Sequence, residues 1–505
     1  MARLFLFAIG GSGARVVRSL VHLLAAGVRI PGCEAVVPVL IDPDTQNGDV
    51  VRTVELLKLY ERLHRQMADA DRPRPDGFFA QPLLTLASLS TADAATNGLK
   101  DTFVYDFGGI NRSFREFIAY GQTSADTKGL LNLLFTDSSL DANLDVGFRG
   151  SPNVGSVVLN GLMESKEMRF LAQNLRGGDD PDRLFFVSSI FGGTGAAGFP
   201  LLVKNLRHEG PPLANPDVRK RLKAGALVLL PYFVLDQPSA TEIAQGANYI
   251  DSRTFITKTK TALSYYAQHL EGVQATYYLG DEPGESLPNN PGKDAQRNAA
   301  HLLELLGALA PLHFMRLLDG DLNDRPLYHE FGLKGSATTT GSAFDFAQFP
   351  DELRAVVARP QIRFQYFAHY FQRDLDLQAR YAADIDLGSR LKNDTTLRDL
   401  KEFLTRYEEW LGELGKNRRY FRGLLPETAD YNAMVNDKSP KVGGWGPFGD
   451  KGITAGIFKE QLNEAMSKLH SAKSAALDEK RAFQLLLTAF DTATEALVKD
   501  KLQYA

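Results

Sequence analysis

The chain has 505 residues, 44% of them hydrophobic and 23% charged, with a formal net charge of −4. These values fit an ordinary folded protein of two large or about three average domains, and exclude wholesale disorder, collagen-like chains and disulfide scaffolds. The single cysteine, Cys33, can close no internal disulfide and no cysteine zinc site, and the slight negative charge offers no general field to nucleic acid or an anionic membrane.

Residues 4–9 are an unbroken apolar run, too short for the core of a signal peptide. They read as a first strand buried on both faces, as in a parallel sheet. Gly10 to Gly13 break the run, and residues 14–26 follow with Val17, Leu20, Val21 and Leu24 on one helical face. Residues 35–41 form a second strand ending at Asp42-Pro43-Asp44, and residues 50–67 are helical. Residues 72–109, rich in Pro, Gly, Asp and Ala, read as an insertion or long loop. Residues 184–189 give another buried strand, residues 199–207 a helix, and residues 226–235 and 275–279 two more strands. The longest apolar stretch, residues 224–235, is too short to span a bilayer and contains Pro231. A cytoplasmic protein is expected. Residues 284–292 are a loop. In residues 294–318, Leu302, Leu305, Leu306, Leu309 and Leu312 predict one long helix. This alternation predicts an α/β domain with a parallel sheet over residues 1–318.

Beyond about residue 335 helical patterns dominate, at 351–357, 362–382, 397–414 and 457–501, with Asp394 as an N-cap and a loop at 436–456. A mainly helical domain over residues 319–505 is predicted. The aromatic run at 362–371 reads as core helix, and Arg418, Arg419 and Arg422 as a solvated basic face. The nine histidines, His301 and His313 among them, lack zinc-ligand spacing, and no Gly-x-Ser-x-Gly elbow surrounds Gly192.

Two glycine-rich loops carry the chemistry. Gly10, Gly11, Ser12, Gly13, Ala14 and Arg15 join the first strand to the first helix. Ser188 to Gly198 joins a later strand to its helix, with Gly192, Gly193, Thr194, Gly195 and Ala196 at its centre. Glycines admit a phosphate to the backbone, and the helix that follows aims free N–H groups at it. Neither loop has a Walker lysine. Gly11-Ser12-Gly13 is half a dinucleotide fingerprint, with Val16 in the third glycine position and Asp42 where a ribose-binding acid would lie. A Rossmann-type oxidoreductase is therefore the less favoured alternative, and the second glycine loop counts against it.

Ser189 to Gly198 resembles the Gly-Gly-Gly-Thr-Gly-Ser/Thr-Gly signature of the tubulin/FtsZ family, with Phe191 in place of the first glycine and Ala197 in place of Ser/Thr. Gly10 to Arg15 resembles that family's first nucleotide loop, and Asp42 and Asp44 fall where its second loop ends a strand. Residues 149–155, with Asn153, resemble its third phosphate-side loop. Pro231, Tyr232 and Phe233 lie where a strand leads to the ribose. Asn289, Asn290 and Asn298 flank the start of the long helix, where the family reads the base. The resemblance covers residues 3–325 and is best to a divergent bacterial tubulin-like group. It implies a GTP/GDP site with Mg²⁺, in which Asn290 or Asn298 reads guanine.

The resemblance also implies hydrolysis completed by a neighbouring copy, through a loop matched by residues 319–325, where Leu322-Asn323-Asp324 is similar to a Leu-Asn-x-Asp pattern. Asp321 and Asp324 are the candidate catalytic carboxylates. Head-to-tail self-association, possibly into filaments, is the implied assembly. The helical tail departs from the family and offers a second expectation, a nucleotide-gated scaffold that binds a protein partner and hydrolyses little.

Overall fold

The computed structural model describes residues 1–68, 76–90, 98–148, 150–207, 213, 215–237, 239, 241, 250–283, 286–290, 292–331, 343–349, 351–377, 387–391, 395–417, 419–435, 452–471 and 478–502. Strands β1 (Ala2–Ile9), β2 (Cys33–Ile41), β3 (Arg183–Ser189), β4 (Lys223–Leu229), β5 (Ala275–Leu279) and β6 (Leu327–Phe331) form one sheet in the order β2-β1-β3-β4-β5-β6. Every pairing is parallel. The fold is α/β, and the unbroken apolar strands are explained by burial on both faces.

Helix α1 (Gly10–Ala25) leaves β1, and α2 (Gly48–Met67) leaves β2 after a short turn. Helices α3 (Pro152–Asn160) and α4 (Gly193–Arg207) pack together, α4 leaving β3. Helix α5 (Phe255–His269) precedes β5. From β1 the chain steps outward to β2, and from β3 it steps the other way to β4. The loops after β1 and β3 therefore flank the point where strand order reverses, the place where open α/β sheets bind ligands. In the region expected as an insertion, Leu83 and Val104 form parallel bridges to Val36 and Leu40, along β2.

Several sequence expectations are corrected. The strand expected over 226–235 stops at Leu229, before Pro231, and Val234–Leu235 pairs separately with Ser286–Leu287. The long helix expected over 294–318 is two short helices, α6 (Leu302–Gly307) and α7 (Ala310–Arg316). Residues 296–300 give their backbone to other elements instead. The Gln296 carbonyl accepts from Asp49 N–H, Asn298 N–H donates to Asp49 Oδ1, and Ala300 N–H donates to Glu413. The helix can begin only after these groups are used, and His301 caps it: its Nδ1 accepts from Leu303 N–H while Glu304 accepts from His301 N–H. Burial lowers the His301 imidazole to about 4, which keeps that nitrogen free to accept. Strand β6, unanticipated in the sequence, carries the sheet past residue 318.

The C-terminal elements are α8 (Asp351–Arg373), α9 (Thr395–Leu414), α10 (Ala455–Ser471) and α11 (Glu479–Leu502). Helix α8 joins two expected segments through Pro360, and the segment expected at 457–501 is two helices. Asp394 and Arg418 lie outside the described residues. Arg419 is paired with Asp281 and mostly buried, not part of a solvated face. The aromatic run of α8 is core: Phe364, Tyr366, Phe367 and Tyr370 are buried.

Helices α8, α9 and α11 pack on α1 and α2, and one apolar cluster runs from Leu4 to Val498. At its centre Trp410 of α9 stacks on His22 of α1 at 4.8 Å and donates from Nε1 to Ser19 Oγ at 3.2 Å. Trp410→Ala is expected to cost about 3–5 kcal/mol, since the void lies between two rigid layers. Urea denaturation of variant and wild type checks this.

Candidate functional site

Where the loops after β1 and β3 meet, a cleft opens with about 1090 Å³ of space continuous with solvent. Gly10, Gly11, Ser12 and Arg15, expected as a loop, line it from the first two turns of α1, and Ser189, Gly192, Gly193, Thr194 and Gly195 from the end of β3 to the first turn of α4. The two loops touch: a Cβ on Gly10 would lie 3.5 Å from Thr194 Cβ and 3.6 Å from the Gly195 amide nitrogen. Gly10 has φ +76°, a backbone conformation that side chains rarely adopt. At Gly195 any Cβ would meet the Ser189 carbonyl at 2.6 Å, so glycine is required to turn β3 into α4.

Helix α1 begins at Gly10 with no side-chain cap and no acidic residue in its first turn, and α4 likewise has no acid there. Both N-termini lie at the cleft. The uncapped N–H groups of α1 and the two helix dipoles favour an anion at this point.

Of the other candidates, Asp42, Asp44, Asn290 and Asn298 also line the cleft. Gly13, Asn153 and Ala196 do not. Gly13 lets α1 approach the sheet, since a Cβ there would lie 2.9 Å from the backbone of Ala8 and of Val187. Asn153 is exposed at the start of α3, and Ala196 is half-buried in the first turn of α4. Asn289 clasps the backbone of Ile250 and Asp236. Arg149 of the third loop lies outside the described residues, while its neighbours Gly147, Phe148 and Gly150 line the cleft.

Asp321 is exposed, and the segment that holds it lies at the other end of the sheet. Asp319 pairs with Arg183 at the start of β3 (2.8 Å), and Asn323 accepts from Lys223 at the start of β4. A seven-residue strand such as β3 is about 20 Å long. The side chain of Asp324 is outside the described residues.

Beneath the cleft lies a buried ion cluster that sequence reasoning missed. Arg15 Nε is 2.6 Å from Glu304 Oε1, and Nη1 donates to Asp49 Oδ2 at 3.3 Å. Arg15 Nη2 donates to Tyr232 Oη at 2.7 Å, and Tyr232 in turn donates to Glu304 at 2.8 Å. Burial opposes the charge of Arg15, but Glu304, Tyr232 and Asp49 outweigh it and raise its pKa. Arg15 is thus committed to its acids. Asp49 is shared with Arg52 (2.7 Å) and with Asn298, whose N–H and Nδ2 each donate to it at 3.0 Å.

Asp42 and Asp44 stand apart: among the described residues no ion pair reaches either. Burial raises the Asp42 carboxyl to about 7, against the Asp44 amide that donates to it, and the charges of Asp44 and Asp49 add to the rise. A cleft with two unpaired acids and one committed arginine suits a polyanion only in company with a cation. Among the described residues no cluster of three or more His, Cys, Asp or Glu could hold a metal by itself. Mg²⁺ nonetheless fits, because it usually needs only one or two carboxylates with phosphate and water.

No protein-family model matches the chain, and no curated protein matches it.

The shift of Asp42 has a consequence for stability. Between its ordinary 3.8 and about 7 the folded protein keeps a proton that the unfolded chain has lost, so this carboxyl's contribution falls as pH rises through that window. Asp42→Asn, neutral throughout, is expected to remove that part of the decline. Urea denaturation of both proteins across the window checks it, and parallel curves would show that Asp42 ionises normally.

Proposed function

We propose that the chain binds a guanine nucleotide in this cleft and hydrolyses GTP when a second copy completes the site. One observation carries the reading: two helix N-termini with glycine-rich first turns and no acid in them converge from adjacent strands at the switch point of a parallel sheet. One such turn serves a dinucleotide fold, whereas two suit a triphosphate. The resemblance of both loops to the tubulin/FtsZ family supports the same ligand.

In this reading Gly11, Ser12, Gly193, Thr194 and Gly195 hold the phosphates through backbone N–H groups and hydroxyls. A Mg²⁺ ion would be held by Asp42 together with the phosphate oxygens, and would neutralise their charge. Asn298 reads the base. Its Nδ2 is committed to Asp49, so the amide presents Oδ1, an acceptor. An acceptor suits the N1–H and amino group of guanine and opposes the bare N1 of adenine. A site built on hydrogen bonds of this kind discriminates strongly.

Asp321 is too far away to act on a nucleotide in its own cleft. The reading therefore gives it to the next copy's nucleotide, where a carboxylate orients the attacking water. The opposite positions of cleft and Asp321 along the strands favour a head-to-tail contact, and with it the possibility of filaments.

Two measurements test the proposal. Gly11 has room for a side chain, since a Cβ there meets nothing closer than Asn47 at 3.4 Å. Gly11→Asp places a negative charge at the phosphates. It is expected to weaken GTP at least tenfold, about 1.4 kcal/mol, in a folded protein. Gly193 is a poorer choice, because a Cβ there would lie 3.0 Å from the Gly150 amide nitrogen. Calorimetry showing equal GTP affinity in Gly11→Asp, or ATP preferred by the wild type, would refute the site assignment. Second, GTP turnover per mole is expected to rise with protein concentration, and Asp321→Ala to lower turnover while sparing binding. A flat rate together with an inert Asp321→Ala would leave a binding scaffold that engages a partner through its helical layer.

A further inference from the structure

Glu413, in the last turn of α9, is far from the cleft in sequence but joined to it through side chains. Its Oε2 accepts from Arg18 Nη1 at 2.8 Å and from Ala300 N–H at 2.7 Å. Its Oε1 accepts from Arg52 Nη1 at 3.0 Å. Arg52 uses its other terminal nitrogen, Nη2, to donate to Asp49 Oδ1 and to the Asn298 carbonyl. Asp49 then holds both the backbone N–H and the Nδ2 of Asn298. Asn417 completes the clamp by donating to the Ala300 carbonyl at 2.6 Å. The chain of bonds is thus Glu413, Arg52, Asp49, Asn298, and only its last two members line the cleft.

From this relay we propose that Glu413 is a positioning residue for base selection: the C-terminal helical layer fixes which end of the Asn298 amide faces the ligand. The inference rests on the nucleotide reading above. A carboxamide presents a donor from one end and an acceptor from the other, so its orientation is its specificity. Among the described residues, only the bond to Asp49 sets that orientation, and only Arg52 ties Asp49 to the C-terminal layer. Arg18 and Arg52 are both largely buried and share the one carboxylate of Glu413. Glu413→Gln leaves two guanidiniums facing a neutral group. Their repulsion moves Arg52 off Asp49 Oδ1. Asp49 keeps Arg15 on Oδ2, its carboxylate turns toward that one remaining guanidinium, and the Asn298 amide it held becomes free to turn and offer Nδ2 to adenine N1.

The relay predicts a change of selectivity rather than of binding as such. The ratio of GTP to ATP affinity, measured by calorimetric competition in full-length protein, is expected to fall at least tenfold in Glu413→Gln and in Arg52→Gln. Arg62→Gln is the control. Arg62 joins the same two helices through Asp399, at 2.6 Å, but contacts neither Asp49 nor the cleft. It is expected to leave the ratio unchanged. A wild-type ratio in folded Glu413→Gln, or an equal fall in Arg62→Gln, would overturn the relay and leave the nucleotide site standing. Should Glu413→Gln fail to fold, Arg52→Gln decides by the same criterion. A wild-type protein that binds no guanine nucleotide overturns both proposals.

Discussion

The geometry of the cleft depends on burying the charge of Arg15. A guanidinium cannot shed its proton, so an arginine placed under the first loop must find acids or remain unfolded. Glu304, Asp49 and Tyr232 come to it from α6, α2 and the turn after β4. Segments from three separate parts of the chain are thereby fixed against the first turn of α1. Removing one partner would leave an unmatched buried charge, a far larger penalty than losing a surface pair. The first turn of α1 above the cluster carries no side-chain cap.

A parallel sheet makes the two ends of its strands chemically unequal, and the two ends differ accordingly in this protein. At the carboxyl ends the glycine loops leave open space. At the amino ends ion pairs and a lysine–amide hydrogen bond close the structure. Arg3 meets Asp182 at 2.6 Å with both side chains buried, Arg183 meets Asp319, and Lys223 meets Asn323. The open end holds the cleft and the closed end carries the exposed Asp321 and Leu318. Repeated contact between unlike ends needs no symmetry within one copy, which is the condition for open-ended assembly.

Legibility in the sequence followed the physics of each segment. Strands β1 to β4 were readable because burial on both faces leaves a largely apolar run, as in Leu4 to Ile9. Strand β6 was not, because its Leu-Tyr-His-Glu-Phe composition reflects an exposed Tyr328 and a single neighbouring strand. The glycine loops declared themselves, and Gly11 and Thr194 stand at the cleft. The loop around Phe148 came close, but Asn153 points to solvent. The leucine pattern of 294–318 misled because periodicity reports the buried face and not the backbone's hydrogen-bond partners. One signal was overlooked: Glu304 sits among Leu302, Leu303, Leu305 and Leu306, and an acid in such a run implies a buried cation. Asp49, Arg52 and Glu413 gave no sign, since their relation exists only once α2 and α9 are packed together.

The non-helical stretch from Gln296 to Ala300 has an unexpected kinetic character. Its amides belong to no helix or strand, and such segments ordinarily exchange their hydrogens rapidly with solvent. Here Asn298 N–H is held by a buried carboxylate of α2 and Ala300 N–H by a carboxylate of α9. Neither can open by local fraying. Each bond spans two elements, so opening it requires a helix layer to withdraw, which would tie the exchange of these two loop amides to layer separation instead of to local motion.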